Sequence, residues 1–175
     1  TLRRSSAASD VYKRQNFISE GKDYMVVEAD EFDRSFLTLH PDLLCITSMD
    51  VDHLDIYQNV ENLETSFQSF ATLVSNPNNR LVREGLDVSG VTYGMSKYAE
   101  VRVEHVRIEN GHYVFDFHSK DQILKGLQLR LPGEHNLMNA TVAIAMALSI
   151  GCDPQSISTA LQHFRGVDRR FSVRI

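Results

Sequence analysis

The sequence contains few of the residues that mark secreted or membrane-spanning proteins. It has no tryptophan, four prolines and two cysteines among 175 residues. Cys45 and Cys152 each stand beside apolar residues and far apart in the chain, which predicts two buried thiols in a reducing compartment and not a disulfide framework. No run approaches the ~18 apolar residues of a membrane span, and the first residues lack the apolar core of a signal peptide. We therefore expect a cytoplasmic protein.

Basic residues are fewer than acidic ones. Lys and Arg total 18 against 23 Asp and Glu, which gives a net charge of −5 and an isoelectric point of about 5.8. An acidic surface disfavours nonspecific binding to nucleic acid or to anionic membranes, so neither is expected as a partner. The hydrophobic share of 42% is enough to build a globular core. An acidic substrate would need a local basic site or a metal ion.

The first fifteen residues differ in composition from the rest. Residues 1–15 hold four basic residues and one acid, and they show no helical or strand period. We interpret them as a non-native or disordered tail, with a native basic arm as the alternative. Residues 16–175 contain no internal repeat and no flexible linker. They are expected to form one α/β unit.

The hydrophobic pattern of the first half predicts two buried strands and a helix. Two short apolar runs, 24–30 and 43–47, end in polar residues, as expected for strands buried on both faces of a parallel sheet. Asn59 is placed to cap a helix whose apolar stripe would cover that sheet. The stripe consists of Leu63, Phe67, Phe70, Ala71 and Val74.

The second half predicts an antiparallel section followed by two helices. Short alternating segments run through residues 91–131, and Asn110-Gly111 is a strong hairpin signal. One helix is predicted from about His135 to Gly151 and another from Pro154 to about Phe164. The predicted fold class is α/β, with a mainly parallel sheet flanked by helices and an antiparallel β section.

Acidic residues and one histidine follow the two predicted strands. The run Glu-Ala-Asp-Glu-Phe-Asp occupies 28–33, and His53 lies within Asp-Val-Asp-His-Leu-Asp at 50–55. Ligands gather at strand carboxyl ends in parallel sheets. Carboxylate oxygens suit Mg²⁺, and a neutral imidazole can complete a mixed site. The pattern predicts a phosphate-bridging metal site; for any single acid the alternative is a solvated loop charge.

Two further groups of residues suit a nucleotide. Asn136 and Asn139 lie three apart on the opening turn of a predicted helix, and paired carboxamides match the donor and acceptor edge of a purine. The alternative is helix capping. Arg165, Arg169 and Arg170 form a small basic cluster whose guanidinium groups match phosphate oxygens, with a charged surface turn as the alternative.

Three strings in order resemble the central domain of the Mur ligase family. They are VVEADEFDRSFLTLHPDLLCITSMDVDHLDIY, LPGEHNLMNATVAIAMAL and FRGVDRRF, and the resemblance covers about residues 16–175. It implies an ATP-dependent ligase that forms an amide bond through an acyl phosphate. Within the family the chain is most similar to members that join L-alanine to UDP-N-acetylmuramate for peptidoglycan synthesis.

The resemblance also implies site residues. Glu28 and His53 match the family's Mg²⁺ ligands, Asn136 and Asn139 match the pair around adenine and its helix, and Arg170 matches the arginine that reaches an ATP phosphate. Glu28, His53 and Arg170 would thus serve catalysis directly. ATP and Mg²⁺ are the implied cofactors.

One family motif is missing from the sequence. The glycine-rich P-loop ending in Gly-Lys-Thr/Ser precedes the Glu-Ala-Asp strand in the family, and residues 1–27 contain no match to it. We therefore expect a partial central domain that binds ATP weakly and is inactive alone.

Three other functions stay open at this point. They are a ligase that attaches a recycled tripeptide to UDP-N-acetylmuramate, a metal-dependent glycosyltransferase that uses Asp50-Val-Asp52, and a nucleotide-binding module without catalysis. The glycosyltransferase hypothesis leaves Asn136, Asn139 and Arg170 unexplained.

Overall fold

The computed structural model describes residues 23–29, 34–49 and 60–166. The strands are β1 (Leu44–Ile46), β2 (Arg80–Arg83), β3 (Val91–Gly94), β4 (Val101–Glu109), β5 (His112–His118) and β6 (Ile123–Leu129). The helices are α1 (Val60–Thr72), α2 (Glu134–Ser149) and α3 (Pro154–His163), and short 3₁₀ turns lie at Ser35–Thr38 and Pro77–Asn79. Within these ranges, no helix is both long and apolar enough to span a bilayer.

The strands form one six-stranded mixed sheet in the order β1-β2-β3-β4-β5-β6. Neighbouring strands are parallel from β1 to β4 and antiparallel from β4 to β6. The β4–β5 hairpin turns at Asn110 and Gly111, both with positive φ, as the Asn-Gly signal predicts. The predicted fold class and the three predicted helices are confirmed.

The direction of β3 differs from the prediction. The alternating pattern predicts an antiparallel section over 91–131, whereas β3 pairs in parallel with both β2 and β4. β3 and β4 overlap by only two residue pairs, Tyr93 with Val101 and Gly94 with Arg102. Because β4 starts beside the end of β3 and continues in the same direction, the short connection needs no return crossover. Alternation identifies a strand but not the direction of its partner.

The prediction of a buried strand over residues 24–30 is wrong for the part that the structure describes. Residues 24–29 are assigned to no strand, and the side chains of Tyr24, Met25 and Val26 are largely exposed. Tyr24 is held instead by its hydroxyl, which donates to the Ile150 carbonyl at 3.2 Å. The physical reason is that a strand exists only where a neighbour supplies its hydrogen bonds, and an apolar run does not specify that neighbour.

The sheet separates two hydrophobic cores. On one face, Phe70 and Ala71 of α1 pack with Leu44 and Ile46 of β1 and with Phe36. On the other face, α2 and α3 pack against residues of β2 to β6, including the fully buried aromatic side chains of β5. Alternate residues of β1 therefore face different cores, as the twofold period of a strand requires.

One of the two cysteines is not buried as predicted. Cys45 is partly buried and packs against the core beneath α2, whereas Cys152 is exposed. Cys152 lies in the turn between α2 and α3, where Gly151 has a φ of 83° and the Cys152 N–H donates to the Ala147 carbonyl at 2.9 Å. The apolar residues before it belong to the end of α2, while the turn itself lies at the surface.

Candidate functional site

A cavity of about 500 Å³ lies between β6, α2 and α3. Its walls are mostly apolar and include Leu129, Ile157 and Phe164, with small residues of α2 along one side. Asn136 and Asn139 line it from the first turns of α2. An apolar cavity with a few polar groups at one side is the usual form of a small-molecule site.

The two asparagines have different surroundings. Asn136 is partly buried, and its Nδ2 donates to the Pro132 carbonyl at 2.6 Å. This bond fastens the turn that leads into α2. It is not a helix cap, because the N-cap residue of α2 is Gly133 and no side chain accepts a hydrogen bond from the first turn there. Asn139 lies one turn further along α2 and is exposed. Its carboxamide is the better placed of the two to meet a ligand.

The entry to α2 depends on a glycine. Gly133 has a φ of 96°, a conformation that residues with a Cβ rarely adopt. A Cβ at this position would lie 2.7 Å from Cε1 of the His135 ring. Residue 133 therefore needs to be glycine for α2 to begin where it does and for both asparagines to face the cavity.

A network that the sequence did not reveal links the sheet to the start of α2. The Arg83 guanidinium lies 5.9 Å from the centroid of the Tyr93 ring, and its Nη2 is 3.9 Å from Oε1 of Glu134. Burial raises the pKa of the Cys45 thiol to about 11, against the opposing effect of the nearby Tyr93 hydroxyl. Burial likewise raises the pKa of Tyr93, so both groups are neutral at physiological pH.

A second contact fixes the loop that follows β3. Glu84, directly after β2, accepts hydrogen bonds from the backbone N–H and the hydroxyl of Ser96. The Glu84 side chain also occupies the space where a Cβ at Gly94 would lie. These contacts order the chain at the carboxyl ends of two parallel strands, the edge at which ligands bind in such sheets.

The predicted metal ligands are only partly described. Glu28 is exposed, which leaves its carboxylate accessible to a cation, and a carboxylate is the oxygen donor that Mg²⁺ prefers. His53 and Arg170 lie outside the described residues, as do Asp50, Asp52 and Arg169. Within the described ranges, no group of three or more His, Cys, Asp or Glu side chains is placed to hold a metal. The pairing of Glu28 with His53 stays a prediction.

Known proteins resemble this chain over most of its length. Residues 7–147 match the Mur ligase middle domain, a range that includes Glu28, His53, Asn136 and Asn139. The UDP-N-acetylmuramate–L-alanine ligase of Flavobacterium psychrophilum is 48% identical over 160 residues, which cover 91% of this chain and 36% of the relative. The chain thus spans little more than a third of that relative's length.

Solved structures show the same fold. The UDP-N-acetylmuramate–alanine ligase from Thermotoga maritima superposes with a TM-score of 0.73 at 28% identity, covering 85% of this chain and 35% of that one. The UDP-N-acetylmuramate:L-alanyl-γ-D-glutamyl-meso-diaminopimelate ligase from Neisseria meningitides gives a TM-score of 0.66 at 21% identity, with 81% and 48% covered. The second likeness concerns the fold alone.

Proposed function

Since the chain belongs to the Mur ligase family, we propose that it is the ATP-binding middle domain of a ligase that joins L-alanine to UDP-N-acetylmuramate in peptidoglycan precursor synthesis. The observation that carries the nucleotide part is the cavity beside α2, which combines apolar walls with Asn136 and Asn139. The choice of L-alanine is supported by the name of the relative that is 48% identical to this chain.

The cavity suits the base of ATP. A purine has two apolar faces and a polar edge, and the walls of the cavity offer mostly apolar atoms beside carboxamides. Asn139 would bind the polar edge of adenine, while Asn136 would hold the turn before α2 through Pro132. Arg170, which follows the described residues, would add a cation toward a phosphate.

The proposed reaction makes a carboxylate reactive toward an amine. A carboxylate is a poor acyl donor, so it first takes the γ-phosphoryl group of ATP, and the amine then displaces phosphate from the acyl phosphate. Glu28 and His53 would hold a Mg²⁺ ion, which when bound supplies the positive charge that screens the carboxylate from the phosphates. The main contribution of Asn139 would be orientation of the nucleotide, because in-line geometry governs phosphoryl transfer.

The test of the nucleotide site is Asn139→Ala in the full-length enzyme that carries this chain. Loss of a hydrogen bond to adenine should raise the KM for ATP about 3- to 10-fold. The matched control is Gln68→Ala, which removes an exposed carboxamide from α1 on the other face of the sheet. An unchanged KM for ATP in Asn139→Ala would contradict this placement of the base.

A further inference from the structure

We propose that Arg83 is a positioning residue that holds the first turn of α2, and with it Asn136 and Asn139, against the carboxyl end of β2 and β3. This inference rests on the proposed function, because it assigns Arg83 a role in how the enzyme meets ATP. Arg83 itself need not touch the nucleotide. Its role is to connect the rigid sheet to the helix that carries the base-contacting side chains.

The sheet side of this connection is tightly fixed. Arg83 is the last residue of β2, and the register of the parallel pair places it beside Tyr93 of β3. Tyr93 is 1% exposed, so its ring cannot move without disturbing the core. The guanidinium group lies 5.9 Å from the centroid of that ring, within the range of a cation–π contact. Arg83 is therefore held by a buried neighbour.

Tyr93 extends the fixed region to β1. Its side chain interacts electrostatically with both Cys45 of β1 and Arg83 of β2, so side chains from three adjacent parallel strands lie together. Cys45 is partly buried among the same core residues. Burial raises the pKa of Tyr93, so Arg83 faces an uncharged ring at neutral pH.

The helix side of the connection is a single residue, Glu134. It is the first residue of α2, and its carboxylate lies 3.9 Å from the guanidinium of Arg83. Asn136 follows two residues later, and Asn139 lies on the next turn. A helix transmits a displacement of its first turn to both of them, since its backbone hydrogen bonds keep the turns together.

The segment before α2 provides little other restraint. Residues 130–133 belong to no strand or helix, and Gly133 has no side chain. Leu137 and Met138, each 1% exposed, hold the body of α2 in the core, while the first residues of the helix are held by side-chain contacts that include Asn136 with Pro132 and Arg83 with Glu134. Arg83 is 30% exposed and Glu134 68%, so we expect removal of this pair to have a moderate effect.

The experiment compares kinetic constants of the full-length enzyme that carries this chain. Arg83→Ala should raise the KM for ATP about 3- to 5-fold, with kcat and the KM for UDP-N-acetylmuramate changed by less than about 2-fold. Arg83→Lys keeps the charge opposite Glu134 and should recover most of the affinity for ATP. Arg107→Ala, which removes the exposed Arg107–Glu109 pair from β4, is the matched control and should leave all constants unchanged.

Two further variants keep the test independent of stability. Glu134→Gln alters only an exposed carboxylate, so it tests the pair even if Arg83→Ala does not fold, and it should raise the KM for ATP about 2- to 5-fold. The exchanged pair Arg83→Glu with Glu134→Arg should restore part of what each single change loses, as a double-mutant cycle of interacting residues does.

The outcomes separate this role from the proposed function. A fall in kcat at constant KM in the Arg83 and Glu134 variants would indicate loss of active protein only and would overturn the positioning role. If the wild type is active and the KM for ATP of the Arg83 and Glu134 variants equals that of the wild type, the positioning role is also overturned. The proposed function is then left intact. A wild-type enzyme that cleaves no ATP with its substrates would overturn the proposed function and this inference together.

Discussion

At the scale of single residues, the positions and contacts of some site residues could be predicted from the sequence, and those of others could not. The three-residue spacing of Asn136 and Asn139 on a helix places both on one face, and both line the cavity. The bond from Asn136 to Pro132 could not be predicted, because it depends on the path of the turn before α2. Arg83 gave no signal at all, since it follows two apolar residues and meets Glu134 only through the fold.

The proposed metal ligands are tested by neutral replacements in the full-length enzyme. Glu28→Gln removes the charge of an accessible carboxylate, and His53→Ala removes the imidazole. Each should weaken the use of Mg²⁺ by at least about 10- to 100-fold, the size seen even for outer-shell changes. The measurement is the Mg²⁺ concentration that gives half-maximal activity.

The control for this pair is Glu64→Gln on α1, an exposed acid outside the two acidic segments 28–33 and 50–55. It should leave the Mg²⁺ dependence unchanged. If Glu28→Gln and His53→Ala behave like this control, the metal hypothesis is wrong.

At the scale of elements, two irregularities in the antiparallel section share one carboxylate. The register of β4 with β5 shifts near His105, and the register of β5 with β6 shifts near Gly126. His105 and Gly126 both have a positive φ. Asp116 on β5 accepts the Gly126 N–H at 2.8 Å and lies 3.0 Å from Nδ1 of His105. The Gly126 hydrogen bond, aided by His105, lowers the pKa of Asp116. The Asp116 side chain thus stabilises the irregularity on each of the two strands that flank β5.

Asp116→Ala should therefore lower the free energy of unfolding by about 1–2 kcal/mol at neutral pH, or a few degrees in Tm. Because the pKa is lower in the folded state, the contribution of the ionised carboxylate is fully present above its ordinary pKa of about 3.9 and is lost as the pH falls below it. Thermal unfolding at pH 7 and at pH 3 measures this. Asp121→Ala in the exposed turn before β6 is the control, and an equal effect of both changes at pH 7 would contradict the bracing role.

The elements also show what periodicity can and cannot predict. A continuous apolar stripe predicted α1, and the Asn-Gly pair predicted the β4–β5 turn, because both signals are local. Periodicity does not predict β2, because only Leu81 and Val82 of its four residues are apolar. It wrongly predicts a strand at residues 24–29, because the burial of a strand depends on a partner that lies elsewhere in the chain. Pairing direction and edge position are properties of the whole sheet.

At the scale of the whole molecule, the sheet holds its helices in two separate layers. α1 covers β1 on one face, while α2 and α3 enclose the cavity on the other. The mixed parallel and antiparallel fold class could be predicted from short apolar runs, alternating segments and two terminal helices. The cavity could not be predicted, since its walls come from β6, α2 and α3 and depend on how the two helices pack.

We propose that the full-length enzyme carrying this chain uses ATP to join L-alanine to UDP-N-acetylmuramate. The most direct measurement is phosphate release with Mg²⁺ and ATP in the presence of each amine substrate, together with the mass of the product. We predict release that requires both UDP-N-acetylmuramate and L-alanine and a product with one new amide bond. Release with the recycled tripeptide and none with L-alanine would contradict the claim, as would sugar transfer that needs no ATP.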